Sequence, residues 1–293
     1  MRFISYYEAG DARTGVINND EVVDMAALNV PGITQLQDLI DAGSDGLAAV
    51  AQALQGGDYA LKPLTELKLL APVATSGKNI FCIGRNFFGH VQEGYKAQGL
   101  ALDVPKVPQI FTKPRTSLAA SGEDLSFRKK VSDRMDYEGE LGIIIAKGGR
   151  DIKPENAFDH IFGYTVINDI TARDLQRKHD QWFKGKGLDQ SCPMGPWIIT
   201  KDEVTDIQTV EILTTVNGET RQSAKVSQMI FDIPTILAEL SRGMTLEAGD
   251  IIATGTPEGV GYAMATPQYL KNGDIVTVAI SGVGELTNRI TIS

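Results

Sequence analysis

Residues 136–147 read Asp-Tyr-Glu-Gly-Glu-Leu-Gly-Ile-Ile-Ile-Ala-Lys. The second half of this stretch, residues 141–147, is a short apolar run rich in isoleucine, which predicts a buried strand. The first half brings two carboxylates to it. Side chains alternate faces along a strand, so Glu138 and Glu140 point the same way if the strand begins there. Two like charges beside a buried strand repel each other and are costly to desolvate. A hard cation such as Mg²⁺, Mn²⁺ or Ca²⁺ relieves both costs, because such ions prefer oxygen ligands. Two solvated side chains at a strand edge are the alternative, and the pair alone does not separate the readings.

Working outward, residues 79–84 and 109–113 predict further short strands, and residues 162–170 another buried one. Residues 86–98, 173–178 and 232–242 predict helices. Asn217-Gly218 is a two-residue hairpin signal after the strand-like residues 211–216. Gly249-Asp250 and Gly273-Asp274 each stand just ahead of a strand. Strands dominate without regular βαβ alternation, which predicts a mixed α/β, β-rich body rather than a doubly wound sheet. No Rossmann fingerprint or Walker loop is present.

Residues 1–70 form a small leading unit of α+β type. Residues 2–7 and 14–23 carry strand-like runs, residues 34–54 have helical spacing, and Gly56-Gly57 ends the pattern. Residues 71–293 form the main domain.

The 293 residues carry a net charge of −9, which disfavours a general nucleic-acid binder but leaves room for small anions held by local Lys and Arg. No run of about eighteen apolar residues predicts a membrane span, and the first residues lack a signal-peptide apolar region. The two cysteines, Cys82 and Cys192, are far apart and read as reduced and partly buried. A cytoplasmic protein is expected.

Asp169 ends the predicted strand at 162–170, where it can supply a third metal ligand or cap the helix that follows. Arg173 and Gln176 follow at helical spacing. His90 and Glu93 stand three apart on one helix face, where a Glu can orient a His that activates water; an exposed helical pair is the alternative. Lys184 and Lys186 lie among glycines that let backbone approach a ligand, or in a flexible surface loop. Residues 255–261 are either a structural turn or a substrate-facing loop. Trp182 and Trp197 read as packing residues, and His160 and His179 as histidines without catalytic duty.

Taken in order, these pieces resemble the fumarylacetoacetate hydrolase family from about Pro72 onward: Ile83-Gly84-Arg85-Asn86, Asp136-Tyr137-Glu138-Gly139-Glu140-Leu141, Gly163-Tyr164-Thr165 and Asn168-Asp169-Ile170-Thr171-Ala172-Arg173-Asp174. Gly185-Lys186-Gly187-Leu188-Asp189, Pro193-Met194-Gly195-Pro196-Trp197, Val216-Asn217-Gly218-Glu219 and Gly255-Thr256-Pro257-Glu258-Gly259-Val260-Gly261 complete the set. Each motif is weak, and the ordered set is specific.

The resemblance implies a fumarylacetoacetase-type catalytic domain (a mixed β-sandwich roll) behind a small N-terminal domain, usually as a homodimer. It implies Mg²⁺ or Mn²⁺ on Glu138, Glu140 and Asp169, an active-site Lys186, and the dyad His90 and Glu93 on a lid helix. Arg85, Lys113, Arg173, Gln176 and Thr256 match positions lining a pocket for a small anionic oxo-acid. One departure is Asn86-Phe87-Phe88, where many members carry Tyr directly after the Asn.

The activity this implies is hydrolysis of the C–C bond of a 2,4-dioxo acid, of acylpyruvate or fumarylpyruvate type, to pyruvate and a carboxylic acid. Oxaloacetate decarboxylation and isomerisation of a 2-hydroxy-dienoate use the same site chemistry. A non-catalytic metal- or ligand-binding protein is the reading from another class, and it has no need of a water-activating dyad.

Overall fold

The computed structural model describes residues 1–57, 59–72 and 77–293. Among these, the longest run of sheet passes in spatial order through Leu61–Pro63, Glu21–Asp24, Asp11–Asn18, Arg2–Glu8, Cys192–Thr200, Ile161–Asn168, Gly139–Ile145, Ile251–Ala253, Ile80–Gly84 and Gln109–Lys113. The pairing is antiparallel except where Ile251–Ala253 meets Ile80–Gly84. A second sheet runs Glu219–Lys225, Glu211–Val216, Ile275–Ile280, Gly284–Ile292 and Asp124–Phe127. The architecture is the expected β-rich mixed one.

The strand Gly139–Ile145 is buried at every position, and its alternation divides the interior. Leu141, Ile143 and Ile145 pack with Ile212, Val278 and Leu286 of the second sheet, and with Ile236 and Leu240 of the helix Ile233–Ser241. Ile144 faces the other way, in a core shared with Phe162, Ile198 and the helix residues Leu39 and Ile40. Gly139 allows the two sheets to close: a Cβ there would lie 2.2 Å from Thr214 Oγ1.

The strands of residues 1–70 hydrogen-bond into this sheet through Arg2↔Ile199 and Phe3↔Ile198. The helix Leu36–Gly56 (α1) is broken at Gly43, whose backbone is non-helical. Its start is held by Asp38, which accepts from Thr34 N and Gln35 N. The Asn217-Gly218 turn joins Glu211–Val216 to Glu219–Lys225 as expected. Phe87, the departure from the family pattern, is buried in the main core, so its ring is part of the packing beneath the helix Phe88–Gln98 (α2). Cys82 and Cys192 are free, and both are fully rather than partly buried. No helix among the described residues is long and apolar enough to cross a membrane.

Candidate active site

The register Gly139↔Asn168 sets Glu138 and Glu140, at the start of one strand, beside Asp169, just past the end of its antiparallel neighbour. The ladder continues one step further, with Asp169 N donating to Glu138 O at 2.8 Å and Glu138 N to Asn168 Oδ1 at 3.0 Å. All three carboxylates are buried, and each offers an oxygen within 4.8 Å of the others. Asp169 is not a helix cap: the helix Arg173–Lys178 (α3) starts after Ala172 with no side-chain cap.

Three buried cations answer the acids. Lys186 Nζ reaches Glu138 Oε2 and Asp169 Oδ2, each at 2.7 Å. Arg173 pairs with Glu138 Oε1 at 2.7 Å and Asp136 Oδ2 at 2.9 Å. Lys113 Nζ lies 2.8 Å from Asp169 Oδ1. Burial by itself pushes Glu138 up, but the charges of Lys186 and Arg173 outweigh it and hold the carboxyl at about 2. Burial, then the charges of Asp169 and Glu138, push Glu140 well above the usual carboxylate range. The difference is geometric: among the described residues Glu140 forms no ion pair and accepts the Gly255 N–H at 2.8 Å. Burial opposes the charge of Lys186, yet Asp169 and Glu138 raise its pKa.

The donor set fits a hard divalent cation. With every group ionised, Asp136, Glu138, Glu140 and Asp169 would give four negative charges against three on Lys113, Arg173 and Lys186. One buried negative charge would be left over, centred on Glu140. A divalent ion would turn that excess into a single positive charge, suited to an anionic oxo-acid.

The triad's end of the sheet opens on a cavity of about 470 Å³, lined among others by Glu138, Glu140, His90, Arg173, Lys186 and Thr256. Arg85 and Gln176 also line it. Three residues expected at the site stand behind its wall: Asp169; Lys113, fully buried against Asp169; and Glu93, which backs His90. His90 Nδ1 lies 3.0 Å from Glu93 Oε1. A carboxylate only accepts, so a neutral His90 carries its proton on Nδ1 and leaves Nε2 as acceptor; this tautomer is assigned from the hydrogen-bond network. Lys186 sits not in a surface loop but on the short helix Phe183–Lys186, with only 2% of its side chain exposed.

Residues 255–262 organise the site in a way the sequence reading missed. Besides Gly255 on Glu140, the Gly259 and Val260 N–H groups reach Glu93 at 2.8 and 3.4 Å. Those of Gly261 and Tyr262 reach Asp136 at 2.8 and 3.1 Å. One loop thus holds three carboxylates by backbone donors, whose partners no side-chain pattern reveals. Trp182, read as a packing residue, and His179, read as a histidine without catalytic duty, line the cavity with Tyr95, Arg177 and Tyr262. Asp136 was legible as an acid in the opening stretch, but its hold on Arg173 was not.

A β-rich fold brings a buried carboxylate triad that could hold a metal ion, an ammonium bridging two of its members and a His-Glu pair to one cavity, the arrangement of an enzyme site. Residues 79–291 match the family model for the fumarylacetoacetate (FAA) hydrolase C-terminal region, and the chain belongs to that family. Oxaloacetate tautomerase YisK of Bacillus subtilis (strain 168) is 41% identical over 293 aligned residues, covering 94% of each chain. The structure of a fumarylacetoacetate hydrolase (EaFAH) from psychrophilic Exiguobacterium antarcticum superposes with a TM-score of 0.83 at 39% identity over 100% of both chains. That of maleylpyruvate hydrolase from Sphingobium sp. SYK-6, in complex with manganese (II) ion and pyruvate, gives 0.80 at 31% identity, again over 100% of both.

Proposed function

We propose that this chain hydrolyses the C3–C4 bond of a 2,4-dioxo acid, of acylpyruvate or fumarylpyruvate type, to pyruvate and a carboxylic acid. The observation that carries this is the His90–Glu93 pair at the same cavity as the triad. Glu138, Glu140 and Asp169 would hold Mg²⁺ or Mn²⁺, which supplies Lewis-acid polarisation of the 2-oxo group and stabilises negative charge on it. The manganese and pyruvate in the similar maleylpyruvate hydrolase support both the metal and the oxo-acid.

His90 Nε2 takes a proton from water, and the hydroxide adds to C4. The imidazolium that results is stabilised by Glu93. The C3–C4 bond breaks with its electron pair left on C3, C4 leaves as the carboxylic acid, and C3 takes the proton held on His90 Nε2 to give pyruvate and return His90 to its neutral form. Lys186 and Arg173 keep fixed positive charge beside the developing oxyanion without reorganising.

A second reading is keto–enol tautomerisation of oxaloacetate, favoured by the 41% identity to an enzyme of that name. There His90 moves a proton between C3 and the 2-oxygen, and no water is consumed.

Pyruvate release by the purified protein with EDTA, Mg²⁺ or Mn²⁺ tests both, over acetylpyruvate, fumarylpyruvate and oxaloacetate, with the enol absorbance of oxaloacetate followed in parallel. Metal-dependent pyruvate from a dioxo acid supports hydrolysis. Enol–keto equilibration alone moves the second reading to first place, and metal binding with no turnover of any of them rejects both.

A further inference from the structure

Arg173 is buried in the wall of the cavity, and its donors are unevenly engaged. Nε donates to Asp136 Oδ2 at 2.9 Å, and Nη1 to Glu138 Oε1 at 2.7 Å and to Gln176 Oε1 at 3.2 Å. Nη2 is buried and has no hydrogen-bond partner among the described residues. A guanidinium fork often meets a carboxylate through two donors at once, but Asp136 is not free to answer in that way. Its Oδ1 accepts from Tyr137 N at 3.1 Å and Gly261 N at 2.8 Å. Its Oδ2 accepts from Tyr262 N at 3.1 Å beside Arg173 Nε. These donors fill the lone-pair sites that a carboxylate offers, so Nη2 is left over.

An unpaired buried donor is costly, and here a π face meets the group that carries it. The guanidinium carbon of Arg173 lies 4.4 Å from the ring centre of Tyr262. The negative face of an aromatic ring attracts a cation and accepts an N–H weakly.

The backbone is built for this placement. Tyr262 presents its N–H to Asp136 and its ring to Arg173, so one residue holds both members of that ion pair. Gly261 lets the turn close on them, since a Cβ there would lie 2.7 Å from Asp136 Oδ1. At its far end the ring meets α2. A Cβ on Gly94, the residue after Glu93, would lie 2.8 Å from Tyr262 Oη. Arg177 also reaches the ring, at 5.1 Å, but from an exposed residue that has water as an alternative.

We infer that Tyr262 is a positioning residue for Arg173. Its ring fixes a guanidinium that Asp136 holds by Nε alone, and so sets the positive charge beside Glu138. Without that face Nη2 has neither acceptor nor π cloud, and the guanidinium turns to find one, which draws Nη1 from Glu138. The inference rests on the proposed role of Arg173 beside the developing oxyanion. Because the hydroxyl end of the same ring seats α2, one side chain also aligns the arginine with the helix of the His90–Glu93 pair.

The test replaces Tyr262 by phenylalanine and by phenylalanines with one, two or three ring fluorines, which weaken the negative face while nearly preserving the volume. Titration calorimetry of the Mn²⁺-loaded protein with oxalate, an isostere of the pyruvate enolate, reads the effect beside turnover of acetylpyruvate, and circular dichroism confirms folding. Tyr262→Phe should bind oxalate within about threefold of wild type. Affinity should then fall with each fluorine, by about 10- to 30-fold at the third, the size of a desolvated cation–π contact. The same steps should appear in an Arg177→Gln background. A flat series overturns the inference, since a ring that only packs is indifferent to its charge. Steps that vanish with Arg177→Gln overturn it by assigning the ring to that arginine, and a large loss in Tyr262→Phe does so by assigning the effect to the hydroxyl. If wild type binds oxalate but turns over no dioxo acid, the proposed reaction fails, while the fluorine series still decides the role of Tyr262. Wild type that binds no oxalate overturns this inference together with the enolate chemistry.

Discussion

The backbone N–H of Gly259 donates to Glu93 Oε2 at 2.8 Å, while the other oxygen of Glu93 lies 3.0 Å from His90 Nδ1. Glu93 therefore joins the helix that carries His90 to the loop that also holds Glu140 and Asp136.

Glu93→Gln replaces a charged acceptor with a neutral amide, which stabilises imidazolium far less. Turnover should fall about 100-fold or more, in the range of general acid–base contributions. Mn²⁺ affinity should stay within about threefold, since the substitution strands no buried ion of the triad. Steady-state kinetics beside calorimetric titration of Mn²⁺ checks this. An equal loss of metal affinity would move the dyad out of its proposed role.

The two glutamates of the triad should respond in opposite ways when metal is absent. Glu138 neutralises both Arg173 and Lys186, so Glu138→Gln leaves buried positive charge uncompensated, at a cost of about 3–5 kcal/mol. Glu140 pairs with no cation among the described residues, and burial beside Asp169 and Glu138 disfavours its charged form. Glu140→Gln should therefore leave the metal-free protein as stable as wild type or more so, although both variants lose the metal. Urea unfolding in EDTA separates them, and a similar loss in both would contradict the charge count.

Metal should stabilise the wild-type fold. At about 100 times Kd, a ligand that binds only the folded state adds about 2.7 kcal/mol. Thermal unfolding with and without Mn²⁺ should show that rise in wild type and not in Glu140→Gln.

Asp38 sits at the start of α1, and the N–H of Thr34 first, with that of Gln35, holds its carboxyl below the ordinary 3.8 despite partial burial. A depressed folded-state pKa means that the contribution is present above the unfolded value and is lost as pH falls through the folded one. Asp38→Ala should cost about 1 kcal/mol at pH 7. The gap between variant and wild type should shrink below pH 3.8. Urea midpoints at pH 7 and at acid pH give the comparison.

Gly139→Ala places a methyl group 2.2 Å from Thr214 Oγ1, between two packed sheets. Overpacking of this kind costs about 1–3 kcal/mol. It should also shift Glu138 and Glu140, so both the unfolding midpoint and Mn²⁺ affinity should drop.

Much of this protein was legible in the residue order, because the signals are local. Apolar runs, the Asn217-Gly218 turn and the alternation that puts Glu138 and Glu140 on one face follow from strand and turn geometry within a few residues. The ordered motifs identified the family and, through it, the residues that cluster here. What the residue order left open were the choices between ligand and cap for Asp169, and between loop and buried site for Lys186. The antiparallel register Gly139↔Asn168 settled the first by bringing Asp169 to the two glutamates. Burial beside Glu138 settled the second, because an ammonium leaves water at tolerable cost only against opposite charge. The loop's backbone donors and the aromatic face on Arg173 had no sequence signal at all. An N–H has no side-chain identity, and the ring that covers Arg173 comes from Tyr262, far along the chain and brought there only by the tertiary fold.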